Sequence, residues 1–225
     1  MKTTDLKVRL AFEDEVLGTS SNNPEIHDEF IASKAPDAKS REEEIAAIGV
    51  AEAVEKSMTV FPKMADGTPF IWDYQIRGFL KEAISALKKA DDSECYNLKA
   101  HKKEVDGLIF IFPRRIAIDM HGMMMGTCQR PLRAATAQGE RISLACSETV
   151  PEGSTIEFTI KCLNSNDIKY VKECLEYGMF KGLLQWRNSG KGRFTYEILE
   201  ESEPPIKKSA AKTKKAAKKS EDQSE

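Results

Sequence analysis

Near the start of the chain Leu6, Val8, Leu10 and Phe12 alternate with Lys7 and Arg9, and a period of two marks a strand with one buried face. Gly18 to Asn23 is rich in turn formers, Pro24 suits the first turn of a short helix reaching Phe30, and Ala35 to Ser40 breaks it. From Arg41 to Lys56 the spacing turns helical, with acids outside and Ile, Val and Ala inside. Met58 to Phe61 predicts a short strand and Ala65 to Pro69 a turn. Asp73 stands where an N-cap is expected. Ile76, Phe79, Leu80, Ile84 and Leu87 then predict an amphipathic helix as far as Lys89.

Gly107 to Phe112 is an unbroken apolar run, read as a central strand that Pro113 and two arginines end. Between Met120 and Ser147 no period holds. This stretch predicts a Met/Gly loop, with Met123 to Met125 filling a gap, and then a projecting hairpin. After the turn Pro151-Glu152-Gly153 comes the most regular strand, with Ile156, Phe158, Ile160 and Cys162 on one face and Thr155, Glu157, Thr159 and Lys161 on the other. Asp167 starts a helix that turns Ile168, Val171, Leu175 and Met179 inward and that Gly178 interrupts near its end. A glycine-rich loop runs to Gly192, and Phe194 to Ile198 is the last strand. The order predicts an α+β fold: a ferredoxin-like (RRM-like) sheet with helices on one face and a long insertion. One domain is expected over residues 1–200, with the insertion at 113–150. Residues 201–225, with Pro204-Pro205 and Lys/Ala/Ser repeats, offer no apolar surface to bury and are expected to be a disordered tail.

Composition narrows the class. A chain of 225 residues with 40% hydrophobic content suffices for one sizeable core. No run approaches the roughly 18 apolar residues of a spanning helix. Nothing after Met1 resembles an apolar leader. Cys95, Cys128, Cys146, Cys162 and Cys174 are odd in number, far apart and set among apolar neighbours, which fits buried thiols in a reducing compartment. A cytoplasmic protein without a membrane partner is the expectation. The net charge of −2 conceals an asymmetry: from Ile206 onward there are seven lysines and three acids, so the remainder, with 27 basic and 33 acidic residues, carries −6. A negative body binds polyanions only through a local patch.

The strongest local signal is Gly178-Met-Phe-Lys-Gly182-Leu-Leu-Gln-Trp186-Arg187-Asn-Ser-Gly190-Lys191-Gly192-Arg193-Phe194. Glycines at this density let main-chain amides approach a phosphodiester, and Arg187, Lys191 and Arg193 supply the Coulombic attraction. The spacing is not that of a P-loop, and a tight structural connection with solvated charges is the competing reading. Arg130, Arg133 and Arg141 lie among small polar residues in the expected hairpin, and Arg114-Arg115 follow the apolar run. Trp72, Tyr74, Trp186 and Phe194 flank basic positions and could stack on bases, although aromatics at such junctions are usually core. The lysine-rich tail would bind any polyanion with steep salt dependence. No cysteine pair has zinc spacing, and Asp14-Glu15 and Asp91-Asp92 are acids of an ordinary surface kind, so no metal or cofactor is expected.

Three stretches together resemble the RAMP superfamily of CRISPR backbone and processing proteins. They are the glycine-rich loop before a final strand; Pro69-Phe-Ile-Trp-Asp-Tyr-Gln-Ile-Arg77-Gly-Phe-Leu-Lys81, where a proline-led strand enters a helix with a basic residue beside glycine; and Val150-Pro-Glu-Gly153 before a late strand. The resemblance implies backbone contacts from Arg77, Lys81, Arg187, Lys191 and Arg193, and a hairpin reaching over the bound strand. It also implies RNA in preference to DNA, self-association along one strand, and a stand-alone member carried by a bacteriophage or prophage. Some members are endoribonucleases with a histidine near the first helix, a place where this chain has His27.

The expected function is therefore non-catalytic binding of single-stranded nucleic acid. Its residues would be Arg77, Lys81, Arg114, Arg115, Arg130, Arg133, Arg141, Trp186, Arg187, Gly190, Lys191, Gly192 and Arg193. Two alternatives stay open: a metal-independent endoribonuclease using His27, and a decoy subunit that binds host defence proteins, for which the acidic stretch 42–55 speaks.

Overall fold

The computed structural model describes residues 3–22, 58–136 and 139–202, with backbone alone over 132–136 and 139–144. The alternation at the start of the chain becomes strand β1 (Thr4–Phe12), every second residue of which is buried. It pairs antiparallel with β10 (Thr155–Cys162), in register Leu6↔Ile160, Val8↔Phe158 and Leu10↔Ile156. The two apolar rows thus lie side by side on one face. On its other edge β1 pairs antiparallel with β11 (Phe194–Glu201). Strand β6 (Ile109–Phe112) pairs with the far end of β10, and β7 (Arg115–Asp119) with its start. Strand β5 (Phe70–Trp72) extends the sheet beyond β7, giving the order β11-β1-β10-β7-β5 with β6 also on β10.

Taken as β1, β6, β10 and β11, the spatial order is fourth, first, third, second, and all pairings are antiparallel. That is the split βαβ arrangement of a ferredoxin-like fold. Helix α1 (Asp73–Leu87) lies between β1 and β6 in sequence, and α3 (Asp167–Lys181) between β10 and β11. Ile76, Phe79, Leu80, Ala83 and Ile84 of α1, with Ile168, Val171, Cys174 and Leu175 of α3, cover the row of Leu6, Val8, Leu10, Ile156, Phe158 and Ile160. Each Leu, Ile, Val or Phe among them contributes about 1.5–3 kcal/mol relative to exposure. Cys95, Cys146, Cys162 and Cys174 are buried free thiols, as the sequence implies, and Cys128 is partly exposed. Burial raises the Cys162 thiol to about 12. Among the described residues no helix is long and apolar enough to cross a membrane.

A second sheet stands beside the first. Strands β8 (Gly126–Thr136) and β9 (Gly139–Val150) form the expected hairpin, in register from Gly126↔Thr149 to Thr136↔Gly139. The base of β9 pairs with β2 (Val16–Leu17) and, in parallel, with β4 (Thr59–Val60), which in turn pairs with β3 (Ser20–Ser21). Glu148 locks this junction. Its carboxylate accepts the Phe61 amide at 2.9 Å and the Lys63 ammonium at 2.8 Å, while its carbonyl accepts Gly18 N–H at 2.9 Å.

Several expectations are corrected. Gly107 and Leu108 close a helix, α2 (His101–Leu108), so the apolar run enters the sheet only at Ile109. Strand β6 is not central: among the described residues it pairs with β10 alone, and its alternation turns Ile109 and Ile111 toward the core and Phe110 and Phe112 outward. Arg115 opens β7 rather than ending a strand. The N-cap of α1 is Trp72, whose amide donates to Gln75 Oε1 at 2.8 Å, leaving Asp73 free to pair with Arg77 one turn on. Gly178 does not interrupt α3. A Cβ there would overlap Phe194 and come within 2.7 Å of Phe79 Cζ, so the glycine lets α3 close on α1 and β11. Met124 fills no gap and is 87% exposed. The helices expected over 24–30 and 41–56, and the tail beyond Ser202, lie outside the described residues.

The two helical glycines make opposite predictions. Gly78 of α1 has open space where a Cβ would go, so Gly78→Ala should stabilise the protein by about 0.5–1 kcal/mol through helix propensity. Gly178→Ala should destabilise it by about 1–3 kcal/mol through overpacking. Urea midpoints of the two variants should fall on either side of the parent; Gly178→Ala at or above the parent would refute the close approach.

Candidate nucleic-acid interface

The loop between α3 and β11 is folded against itself and against the turn after β1. Gly182 N–H donates to Gly178 O at 2.8 Å, Leu183 N–H to Gly192 O at 2.8 Å, and Gly190 N–H to Arg187 O at 3.0 Å. Gly192 N–H donates to Glu15 O at 2.9 Å and Glu13 N–H to Arg193 O at 2.8 Å, so residues 13–15 run alongside the loop. Gly182 and Gly192 have φ of 81° and 72°. A Cβ on Gly182 would sit 2.6 Å from Lys191 O, and one on Gly192 would overlap Leu183 O. These glycines are therefore required by backbone-to-backbone packing. The amides of Gly182, Gly190, Lys191 and Gly192 are spent on carbonyls rather than offered to a phosphate.

The cations of the loop are held by acids. Arg193 donates from Nε and Nη2 to Asp14 at 3.1 and 2.8 Å, which raises its pKa above the ordinary value. Lys191 Nζ lies 3.6 Å from Glu15, so the pair Asp14-Glu15 serves as counter-charge. Arg187 pairs with Glu82 on α1, Arg77 with Asp73 at 3.0 Å, and Lys81 with Asp106 on α2. Pairs exposed to this degree are worth about 0–1 kcal/mol each, weak enough for a phosphate to displace the carboxylate.

Arg130 differs. Its guanidinium, on β8, lies over the ring of Trp186, joining the hairpin to the glycine-rich loop. Nε and Nη1 are buried with no acceptor among the described residues, and burial lowers the pKa of the group. Trp186 has φ of 62° and caps a short 3-10 turn (Arg187–Ser189), and its ring meets Arg130 of β8. Beside it opens a cleft of about 570 Å³ lined by Glu82, Lys181, Gln185, Arg187, Asn188 and Ser189. Gln185 Nε2 donates to Gly18 O at 2.9 Å and Gln75 Nε2 to Thr19 Oγ1 at 2.8 Å, tying α1, the loop and the hairpin base together.

The structure thus brings Arg130, Trp186, Arg187, Gly190, Lys191, Gly192 and Arg193 into one region, with Arg77 and Lys81 along α1. The register puts Arg133 opposite Ile142 and Arg141 opposite Ala134, farther along the hairpin. Arg114 and Arg115 lie elsewhere, over Trp72 at 5.7 and 5.6 Å. His27 lies outside the described residues. His121 is engaged by Asp119 at 3.3 Å and Thr155 at 3.1 Å, and burial together with Lys88 and Lys102 lowers the pKa of His101. The partners Glu82, Asp14 and Glu15 carried no sequence signal, since they come from elements remote in the chain.

No protein-family model and no curated protein matches this chain. Among solved structures a chain of the Type III-B Cmr-beta complex bound to cognate target RNA, determined by cryo-EM, is similar, with a TM-score of 0.52 and 12% identity over 89% of this chain. This chain spans 61% of the length of that one. The likeness is one of fold, the ferredoxin-like α+β fold expected from the sequence.

Removing the guanidinium should uncover the indole. In a Trp72→Phe background, Arg130→Ala should shift Trp186 emission to longer wavelength and raise its quenching by iodide, with the melting temperature within a few degrees of the parent. Unchanged emission would place Arg130 off the ring.

Proposed function

We propose that this chain is a non-catalytic protein that binds single-stranded nucleic acid, RNA in preference to DNA. In this reading the strand crosses the region between hairpin and loop. The observation that carries it is Arg130: a guanidinium seated on Trp186, with two buried nitrogens lacking an acceptor among the described residues, where Trp186 itself lines a cleft together with Lys181 and Arg187. A phosphate would supply the missing acceptor, and charge-assisted hydrogen bonds of this kind are the strong ones. The loop enters through side chains: Arg187, Lys191 and Arg193 would exchange carboxylates for phosphates, and Arg77, Lys81, Arg133 and Arg141 would extend the track. Preference for RNA rests on the fold shared with a chain of a complex solved with target RNA. Self-association along the strand and carriage by a bacteriophage or prophage belong to the same proposal and rest on the family resemblance. The ion pairs within the track favour one second reading, a decoy subunit whose partner is a protein of host defence.

Fluorescence anisotropy with single-stranded RNA, single-stranded DNA and duplex DNA across a salt series separates these readings. Single-stranded RNA should bind most tightly. Arg130→Ala/Arg187→Ala should raise Kd by about tenfold or more at 100 mM salt, each lost charge-assisted bond costing about 1.5–3 kcal/mol. Ending the chain at Glu203 should cost less. Glu82→Gln, which frees Arg187, should tighten binding severalfold. Loss confined to the tail truncation would reduce the binding to a property of the lysines, and no binding in any form would favour the decoy. RNA cut at a defined position in chelator, and lost in His27→Ala, would overturn the non-catalytic reading.

A further inference from the structure

The face of the main sheet turned away from α1 and α3 divides into two unlike halves. Over β11, β1 and β10 it is laced with ion pairs: Arg9 with Glu157 at 2.7 Å and Glu197 at 3.3 Å, Lys161 with Asp5 at 3.0 Å, and Lys7 with Glu157 at 3.9 Å. This half neutralises itself.

Over β6, β7 and β5 the same face is aromatic. Phe110 and Phe112 are 36% and 52% exposed. Trp72 is paired across the strands with Arg115 and Phe70 with Ala117, which puts them on the outward row. Phe70 meets Trp72 edge to face at 4.9 Å, and Trp72 stacks on Tyr74 at 6.1 Å, with Tyr74 54% exposed. Arg114 lies over Trp72, and Arg115 over both Phe70 and Trp72, at 5.6–5.7 Å. Seven arginines have described side chains. Arg9, Arg77, Arg187 and Arg193 are held by carboxylates, whereas Arg114 and Arg115, like Arg130, have none within ion-pair distance among the described residues.

We propose that Phe110, Phe112, Trp72 and Tyr74, with Arg114 and Arg115, form a base-stacking platform for single-stranded nucleic acid, a second contact surface for the strand bound between hairpin and loop. Three features choose this occupant. A guanidinium lying on a ring keeps its N–H edge free for a phosphate, and the stack holds the cation without a competing acid. Exposed rings accept any base because every base has a π face. Phe110 and Phe112 stand two residues apart on one strand, about 6.6 Å. That is about twice the 3.4 Å rise of stacked nucleotides, so neighbouring bases must separate to use both rings, which excludes a duplex. The proposal rests on the nucleic-acid reading above but uses different residues.

The test compares Phe110→Ala/Phe112→Ala, Arg114→Gln/Arg115→Gln and Arg130→Ala/Arg187→Ala in the full chain, with single-stranded RNA over a salt series. The Phe pair is exposed, so its circular dichroism and melting should match the parent. Its Kd should rise by about tenfold or more with the salt slope unchanged, because stacking releases no ions. The Arg114/Arg115 pair should lower the slope of log Kd against log salt by about 1.4. In a Trp186→Phe background, RNA should quench Trp72 emission. Parent-like affinity of the Phe pair together with unquenched Trp72 overturns the platform while leaving the hairpin–loop track intact. A parent that binds no strand defeats the track as well. If the Phe pair instead converts an RNA-free multimer to monomer, the face joins copies of the chain and the proposal is wrong.

Discussion

The arrangement depends on how closely three stretches of main chain approach one another where α3 gives way to β11. Leu183 and Gly192 meet across the loop, Gly192 reaches Glu15 in the turn after β1, and neither Gly182 nor Gly192 leaves room for a side chain. Hydrogen bonds at that range are satisfied without water and set the path of the whole connection. Once the path is set, Trp186 is held in a left-handed conformation under the hairpin, Arg187 against α1, and Lys191 and Arg193 against the acids that follow β1. A second close approach, Gly18 against Val60 and Phe61, holds the hairpin base in place beneath Glu148. The cations of the loop are therefore positioned by glycines whose amides are spent on the main chain.

Two kinds of cation result. Those paired with carboxylates are solvated, exchangeable and electrically quiet, which agrees with a body whose net charge is negative. Those stacked on rings keep their full charge because no acid has been brought beside them. Arg130 on Trp186 and the Arg114/Arg115 group on Trp72 are thus the arginines, among those with described side chains, whose charge no neighbouring carboxylate offsets. They lie on different elements, β8 and the β5–β7 edge.

The sheet was legible wherever burial on one face imposes a strict period. β1 and β10 read cleanly because Leu6, Val8, Leu10, Ile156, Phe158 and Ile160 all face the helices, and α1 read cleanly by its apolar stripe. The run from Gly107 to Phe112 misled because hydrophobicity alone does not distinguish a strand covered on both faces from one whose outward residues are exposed aromatics. Its first two residues are also drawn into α2. Short pairings such as β2, β3 and β5 carry too few residues for a period to register; they form because β9, β4 and β7 respectively offer them edges. The site was legible as composition and hidden as geometry. Glycines and arginines in the loop could be read from their order. That those glycines serve packing, that Asp14, Glu15 and Glu82 would meet the cations, and that Arg130 would find Trp186 are facts of contact between residues remote in sequence.

The pairing of β3 with β4 carries a further consequence. Ser20 faces Val60, Ser21 faces Thr59, and Asn22 N–H donates to Met58 O at 3.0 Å, so two points 36 residues apart in the chain are clasped side by side. Closing a longer excursion from such a clasp costs only about 0.6 kcal/mol per doubling of its length. Because the clasp holds its two ends independently of what joins them, a change of length between them need not disturb the pairing of β4 with β9 or the hairpin that β9 carries.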